Sequence, residues 1–259
     1  FMLLRRLILI VALLAPVYGY AQMGAPAPKS ETAQKIEKAL ASPIRSDDER
    51  ARDARERKPV QTLEFFGLKP NMTVVELMPG AGWYTKILGL TLAEQGKLYV
   101  TLGAGRIAPR LKEWGLDKVE YVDDKTVMKA APGTMSMQAE SIKLPLNNVD
   151  MELTFRNLHN FNAESRAMLH RAVFDALKPG GVYGIVDHTR RHNEPTTREN
   201  WRRIDPVLVI KEILDAGFVF DGFVDLHYRP DDELRYDTQR PTVAGYSDRF
   251  TFRFRKPAP

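Results

Sequence analysis

A short apolar run, Thr73 to Met78, breaks into Pro79-Gly80-Ala81-Gly82 and resumes from Trp83 to about Gln95 with the spacing of an amphipathic helix. Strand, glycine turn and helix in that order point to a parallel α/β arrangement, because strands that pair side by side in the same direction need a helical crossover between them. In an open sheet of this kind the ligand crevice lies beyond the carboxyl ends of the strands, and glycines there let backbone N–H groups approach a ligand. The spacing is not the G-x-G-x-x-G of dinucleotide-binding turns, since no third glycine follows Gly82 at the required offset.

The alternation continues along the chain. Gly96 ends the first crossover helix, Lys97 to Leu102 reads as a second strand, and a helical stretch runs toward Trp114. Val119 to Val122 gives a third strand, Val149 to Phe155 a fourth, and Ala163 to Leu177 a helix. Lys178-Pro179-Gly180-Gly181 predicts a sharp turn into a strand from Val182 to Asp187. After a helix from Asp205 to Ala216, the patterns of Phe218 to Tyr228 and Arg249 to Arg255 suit an antiparallel edge pair.

At the beginning, Arg5-Arg6 precedes the apolar run Leu7 to Val17, and Gly19-Tyr20-Ala21 offers small residues two apart. This predicts an export leader over residues 1–21 cleaved after Ala21, a linker over 22–29, a helical extension over 30–66 and the main domain over 67–259. The expected location is therefore exported and periplasmic, with no stable membrane insertion once the leader is removed. The chain has no cysteine, so disulfides and thiolate metal sites are excluded. Ser30 and Ser46 can cap two helices. Between Arg45 and Lys58 eleven of fourteen residues are charged with both signs interleaved, which predicts a solvated helix face; the alternative is a lid over a ligand cleft. The net charge of +5 is spread among acids along the chain instead of lining one stripe, so the expected partner is a small molecule and not a nucleic acid.

Candidate chemistry clusters at strand ends. Glu76 ends the first strand beside the glycine turn, where a buried carboxylate can accept from turn N–H groups or meet a ligand ammonium. His159 follows the fourth strand and can take a proton near neutral pH, Asn157 can orient a ligand through its amide, and Tyr84 can pack against one. Asp187 and His188 follow the fifth strand on the same sheet edge. Structural roles remain open for all three: a hydrogen-bonded core histidine, a helix-capping acid and a surface imidazole. Trp83, Phe155 and Phe161 read as core aromatics, and Arg203 with Asp205 as an ion pair or cap opening the following helix. A metal-assisted hydrolase using His159, Asp187, His188 and His192 has suitable residue types but lacks close ligand spacing, so no metal site is assigned.

The segment Glu76-Leu77-Met78-Pro79-Gly80-Ala81-Gly82, with Val149 to Thr154 and Leu177-Lys178-Pro179-Gly180-Gly181 in the same order, resembles the motifs of class I S-adenosylmethionine-dependent methyltransferases. Met78 to Thr85, Arg156 to Phe161, Val186-Asp187-His188, Arg203-Ile204-Asp205 and the ending Asp248 to Pro257 are similar to those of a group of uncharacterised exported bacterial predicted methyltransferases. The resemblance implies a Rossmann-like fold: a mostly parallel seven-stranded sheet with an antiparallel C-terminal edge and helices on both faces. It implies S-adenosylmethionine as cofactor, held by Glu76, Met78, Pro79, Gly80, Ala81, Gly82, Tyr84, Thr85 and Asn157. The ribose position falls at Leu102, whose side chain cannot accept the usual hydrogen bonds, and the adenine position falls near Gln138-Ala139-Glu140. The expected catalytic set is His159, Asn157, Asp187 and His188. The expected activity is methyl transfer to a small-molecule or exported acceptor, the alternative being a non-catalytic ligand-binding or envelope-associated protein on the same fold.

Overall fold

The computed structural model describes residues 28–258. The leader read over 1–21 and the linker as far as residue 27 lie outside the described residues. Ser30 accepts from the Ala33 N–H and starts helix α1 (Glu31–Leu40), whose buried stripe is Thr32, Ala33, Ile36 and Ala39. Ser46 and Glu49 form a reciprocal capping box on helix α2 (Asp47–Arg52). This helix passes into one π turn, Asp53–Arg57, closed by the Lys58 N–H donating to the Asp53 carbonyl. Lys58, at φ 40°, then redirects the chain into α3 (Pro59–Phe66), with proline in the first turn where its missing N–H is harmless.

The sheet contains β1 (Thr73–Leu77), β2 (Lys97–Thr101), β3 (Val119–Tyr121), β6 (Val149–Phe155), β7 (Leu177–His188), β8 (Val219–Val224) and β9 (Arg249–Arg255), ordered β3-β2-β1-β6-β7-β9-β8. Pairing is parallel from β3 through β7 and antiparallel from β7 through β9 to β8, the arrangement the sequence pattern predicts. The two short strands β4 (Met128–Ala130) and β5 (Met137–Ala139) form a separate hairpin that no sequence signal indicated. The turn expected at Lys178 to Gly181 is instead an irregular start to β7, with Gly180 at φ 76° and a register shift against β6 between Val149 and Met151.

Alternation along the strands builds two cores. Val74 faces the layer of α1, α3 and α4 (Trp83–Leu92), joined by Ile36, Leu63, Phe66, Ile87 and Leu88. Its neighbours Val75 and Leu77 face the opposite layer of α6 (Ala163–Ala176) and α7 (Pro206–Asp215), with Leu169, Val173, Val209 and Ile213. Arg166 on α6 makes two 2.7 Å bonds to Glu212 on α7. The chain runs from β1 outward to β2 and β3, then returns to the other side of β1 as β6 and β7. The sheet order thus reverses at β1 and β6, and a crevice opens beyond their carboxyl ends.

Candidate functional site

That crevice is a cavity of about 710 Å³, within the range of small-molecule sites. Its floor is the end of β1 and the glycine turn, with Glu76, Met78, Pro79, Gly80 and Ala81; its β6 and β7 side carries Arg156, Asn157, His159 and His188. Each of the three parallel strands β1, β2 and β6 leaves the sheet through a non-glycine residue in the left-handed region: Met78 at φ 52°, Leu102 at φ 52° and Arg156 at φ 64°. Such conformations cost about 1–2 kcal/mol each and persist where the surroundings over-determine them. Two anchors are visible: the Met78 N–H donates to Thr101, and the Arg156 N–H to Val186.

The glycine turn itself shows why two of its residues lack side chains. Gly80 (φ 60°) faces open space, whereas a Cβ on Gly82 (φ 83°) would come within 2.6 Å of the Trp114 ring. Gly82 therefore lets α4 begin against Trp114. Glu76 is buried, and its carboxyl accepts a 2.6 Å bond from the Thr85 hydroxyl. Burial raises its pKa to about 7, opposed by that bond and by the Arg57 charge. Removing the donor with Thr85→Val is expected to lower stability by about 1–2 kcal/mol at pH 8, and by less at pH 5, as measured by urea unfolding.

Asn157 donates to Leu77 O, Met78 O and Thr154 Oγ1 at 3.0–3.3 Å, fastening the end of β6 to that of β1. His159 Nδ1 lies 2.6 Å from Asp187 Oδ1, and Asp187 also accepts from the backbone N–H groups of His159 and His188. A carboxylate only accepts, so Nδ1 carries a hydrogen, and it is Nε2 that would hold the lone pair of the neutral ring. His159 lines the cavity, and its Nε2 makes no hydrogen bond among the described residues. His188, 5.6 Å away between ring centroids, bonds Ser247 Oγ at 2.9 Å. Burial, then the Arg249 charge, hold it well below the usual imidazole range, so it stays neutral.

Some expected residues stand behind the cavity wall. Thr85 and Asp187 act through Glu76 and His159. Leu102 is fully buried and, like Gln138 and Ala139 on β5, does not line the cavity. The carboxylate at the end of β2 comes from Asp124, beyond β3; it accepts from the Thr101 hydroxyl and the Leu102 N–H at 2.8 Å each. Trp83 is buried in the core and Phe155 packs against it, as expected, and both also line the cavity, where Phe155 stacks on Tyr84 at 3.5 Å between centroids; Phe161 is core as expected. Arg203 is a buried ion pair with Asp232, and Asp205 caps α7. His192 pairs with Asp205 at 2.9 Å, and among the described residues no three His, Asp or Glu side chains are grouped to hold a metal.

The charged segment 45–58 combines the two readings the sequence left open. Asp47, Asp48, Arg52 and Arg55 are exposed and no residue of α2 is buried, as a solvated face requires, while Glu49, Arg52, Arg55, Glu56 and Arg57 also form the cavity's outer wall. The Trp83 ring holds it there: the guanidinium groups of Arg45 and Arg57 lie over it, 5.0 and 4.4 Å from its centroid, while Trp83 Nε1 donates to the Glu49 carbonyl and Lys86 pairs with the Glu49 carboxylate. Arg45 is in turn fixed by two bonds to Asp53. A π turn sits at the centre of this wall, a form of helix that recurs at functional sites.

No family model and no curated protein sequence matches the chain. Solved structures do. A SAM-dependent methyltransferase from Aquifex aeolicus superposes with a TM-score of 0.55 at 20% identity, over 86% of this chain and 98% of that one. A Mesorhizobium loti S-adenosylmethionine-dependent methyltransferase gives 0.50 at 17% identity, over 76% and 96%. The fold is that of the S-adenosylmethionine-dependent methyltransferases. The [4+2]-cyclase SpnF, at 0.55 and 15% identity over 88% of this chain and 94% of that one, has the same methyltransferase fold, so the reaction has to be argued from the site.

Proposed function

We propose that this chain transfers the methyl group of S-adenosylmethionine to a small-molecule or exported acceptor. The observation that carries the reading is the Asp187-oriented His159, opening with a free Nε2 into the same cavity as the Gly80 turn and Glu76. The cofactor's methionyl end fits the residues present: Glu76 has a single side-chain donor and can accept from an ammonium, and Gly80 leaves space where a Cβ would intrude. Met78, Pro79, Ala81 and Tyr84 would flank it. When bound, the cofactor supplies an electrophilic methyl that needs no further activation. The protein's task is then to align the acceptor, exclude water and remove a proton where the nucleophile carries one. His159 Nε2 would take that proton, with Asp187 fixing the ring and meeting the imidazolium charge. The segment 49–57 and its arginines close the cavity from outside. The dyad favours catalysis over a merely ligand-binding role, and the leader read from residues 1–21 supports an exported setting.

Titration of the full chain with S-adenosylmethionine tests the reading. A rise in melting temperature with saturable heat is expected, abolished in Gly80→Arg, whose side chain would fill the space over the turn. A folded wild type showing neither heat nor a melting shift at millimolar cofactor would refute it.

A further inference from the structure

Three arginines share one recess on the β7 side of the cavity. Arg57 closes the π turn, Arg156 ends β6, and Arg249 opens β9 opposite His188 in the sheet register. All three line the main cavity, and with Glu56 and His227 they also line a small pocket beside it. The charges there do not balance. Glu56 is the one acid in the lining, and its carboxyl is already divided among Arg55 at 2.5 Å, Arg249 at 3.7 Å and Arg52 at 3.9 Å. Arg57 and Arg156 form no ion pair among the described residues, and neither guanidinium donates a hydrogen bond there. Arg57 and Arg249 are 6% and 5% exposed, and the Nε of each is buried without a partner.

Buried guanidinium groups without counter-charges are unfavourable unless a ligand supplies them. Burial and then the Arg156 charge push Arg57 down to about 9 and Arg249 to about 10. The arrangement is nonetheless held firmly. The Arg57 carbonyl accepts from the Thr62 hydroxyl, His227 Nε2 and the Tyr84 hydroxyl at 3.1, 3.0 and 3.4 Å, and its guanidinium lies against Trp83. Planar guanidinium forks match the oxygens of a carboxylate or phosphate.

We propose that this recess binds a carboxylate or phosphate group carried by the methyl acceptor, with Arg57 and Arg156 donating to its oxygens and Arg249 completing the cationic wall. The word acceptor rests on the methyl-transfer reading; the anion site stands independently of it. Arg156 and Arg249 stand on the β6, β7 and β9 side, where His159 and His188 also lie, while Arg57 faces them from the N-terminal segment, near enough for its charge to act on Glu76. An anion anchored there would hold the rest of its molecule in the cavity that His159 faces.

The test uses the full chain, with sodium phosphate and sodium acetate added at constant ionic strength, with and without saturating S-adenosylmethionine. One or both anions should raise the melting temperature, additively with the cofactor. A larger effect of phosphate assigns a phosphoryl acceptor and a larger effect of acetate a carboxylate. In Arg156→Gln the anion affinity should fall at least tenfold while cofactor affinity stays within about threefold. The ligand-free melting temperature of this variant should equal or exceed that of the parent, because one uncompensated cation is gone. Arg57→Lys, which keeps the charge and loses the fork, should retain part of the response, and Arg110→Gln, an exposed side chain on helix α5 (Ala108–Glu113), all of it. The proposal falls if Arg156→Gln leaves the anion response intact, if that variant melts lower with the response retained, or if the anions compete with S-adenosylmethionine, which would assign the recess to the cofactor's own carboxylate. Anion binding without any cofactor binding would uphold the recess and refute methyl transfer.

Discussion

Replacing His159 with alanine is expected to slow methyl transfer about 10²- to 10⁴-fold, the usual contribution of a positioned acid or base, on any acceptor whose nucleophile carries a proton. Cofactor affinity should be unchanged, because the ring lies at the end of β6 and contacts Asp187, not the glycine turn. Asp187→Asn should lose a large share of the same rate and shift the pH–rate profile, since an amide neither accepts from Nδ1–H as strongly nor balances an imidazolium. Asp187 is thus a positioning residue. A His159→Ala rate within tenfold of the parent, with the cofactor bound, would remove the dyad from the chemistry.

Glu76→Gln should act in opposite directions on stability and on binding. The Glu76 pKa rises from 4.5 to about 7 on folding, so the folded state holds this proton more tightly than the unfolded chain. Stability therefore declines as pH climbs from about 4.5 to about 7 and stays lower above that window. The difference corresponds to about 3 kcal/mol. Glutamine abolishes this titration, and the variant should be more stable than the parent at pH 8 by up to that amount, with little change at pH 4.5. Glu152, buried on β6 with neither carboxyl oxygen partnered, is also pushed well above the usual range and leaves a residual slope of the same sign. The same substitution should weaken S-adenosylmethionine at least tenfold, as expected when a charge-assisted bond to an ammonium is lost. Denaturant unfolding across pH, set beside cofactor titration, separates the two effects; a variant that binds as well as the parent would show that the carboxylate does not meet the ligand.

Much of the sheet was legible in the chain because its signals are local. Short apolar runs mark β1, β2, β3 and β6 to within one residue, the first two near glycine or proline, and Ser30, Ser46 and Asp205 stand as caps where helices begin. The β4–β5 hairpin escaped notice because three-residue strands carry almost no periodicity. At the site, His159, Asp187 and His188 were legible as residues following parallel strands, but their mutual bonds were not, since those depend on the register of β6 against β7. Asp124 escaped because it follows β3 yet serves the end of β2.

The segment 45–58 shows where local reading ends. Mixed charges at helical spacing describe its exposed side, but nothing within the segment says that the Trp83 ring, on another helix, will hold the guanidinium groups of both Arg45 and Arg57. The sequence alone determined a parallel α/β chain with a glycine turn at the end of its first strand, because backbone propensity and periodicity act over a few residues. Only the tertiary structure decided that Arg57, Arg156 and Arg249, 192 positions apart at the extremes, would share one recess with too few acids. Electrostatic balance depends on distance through space, and that distance is set by how β6 and β9 flank β7 and how the N-terminal helices fold back over them.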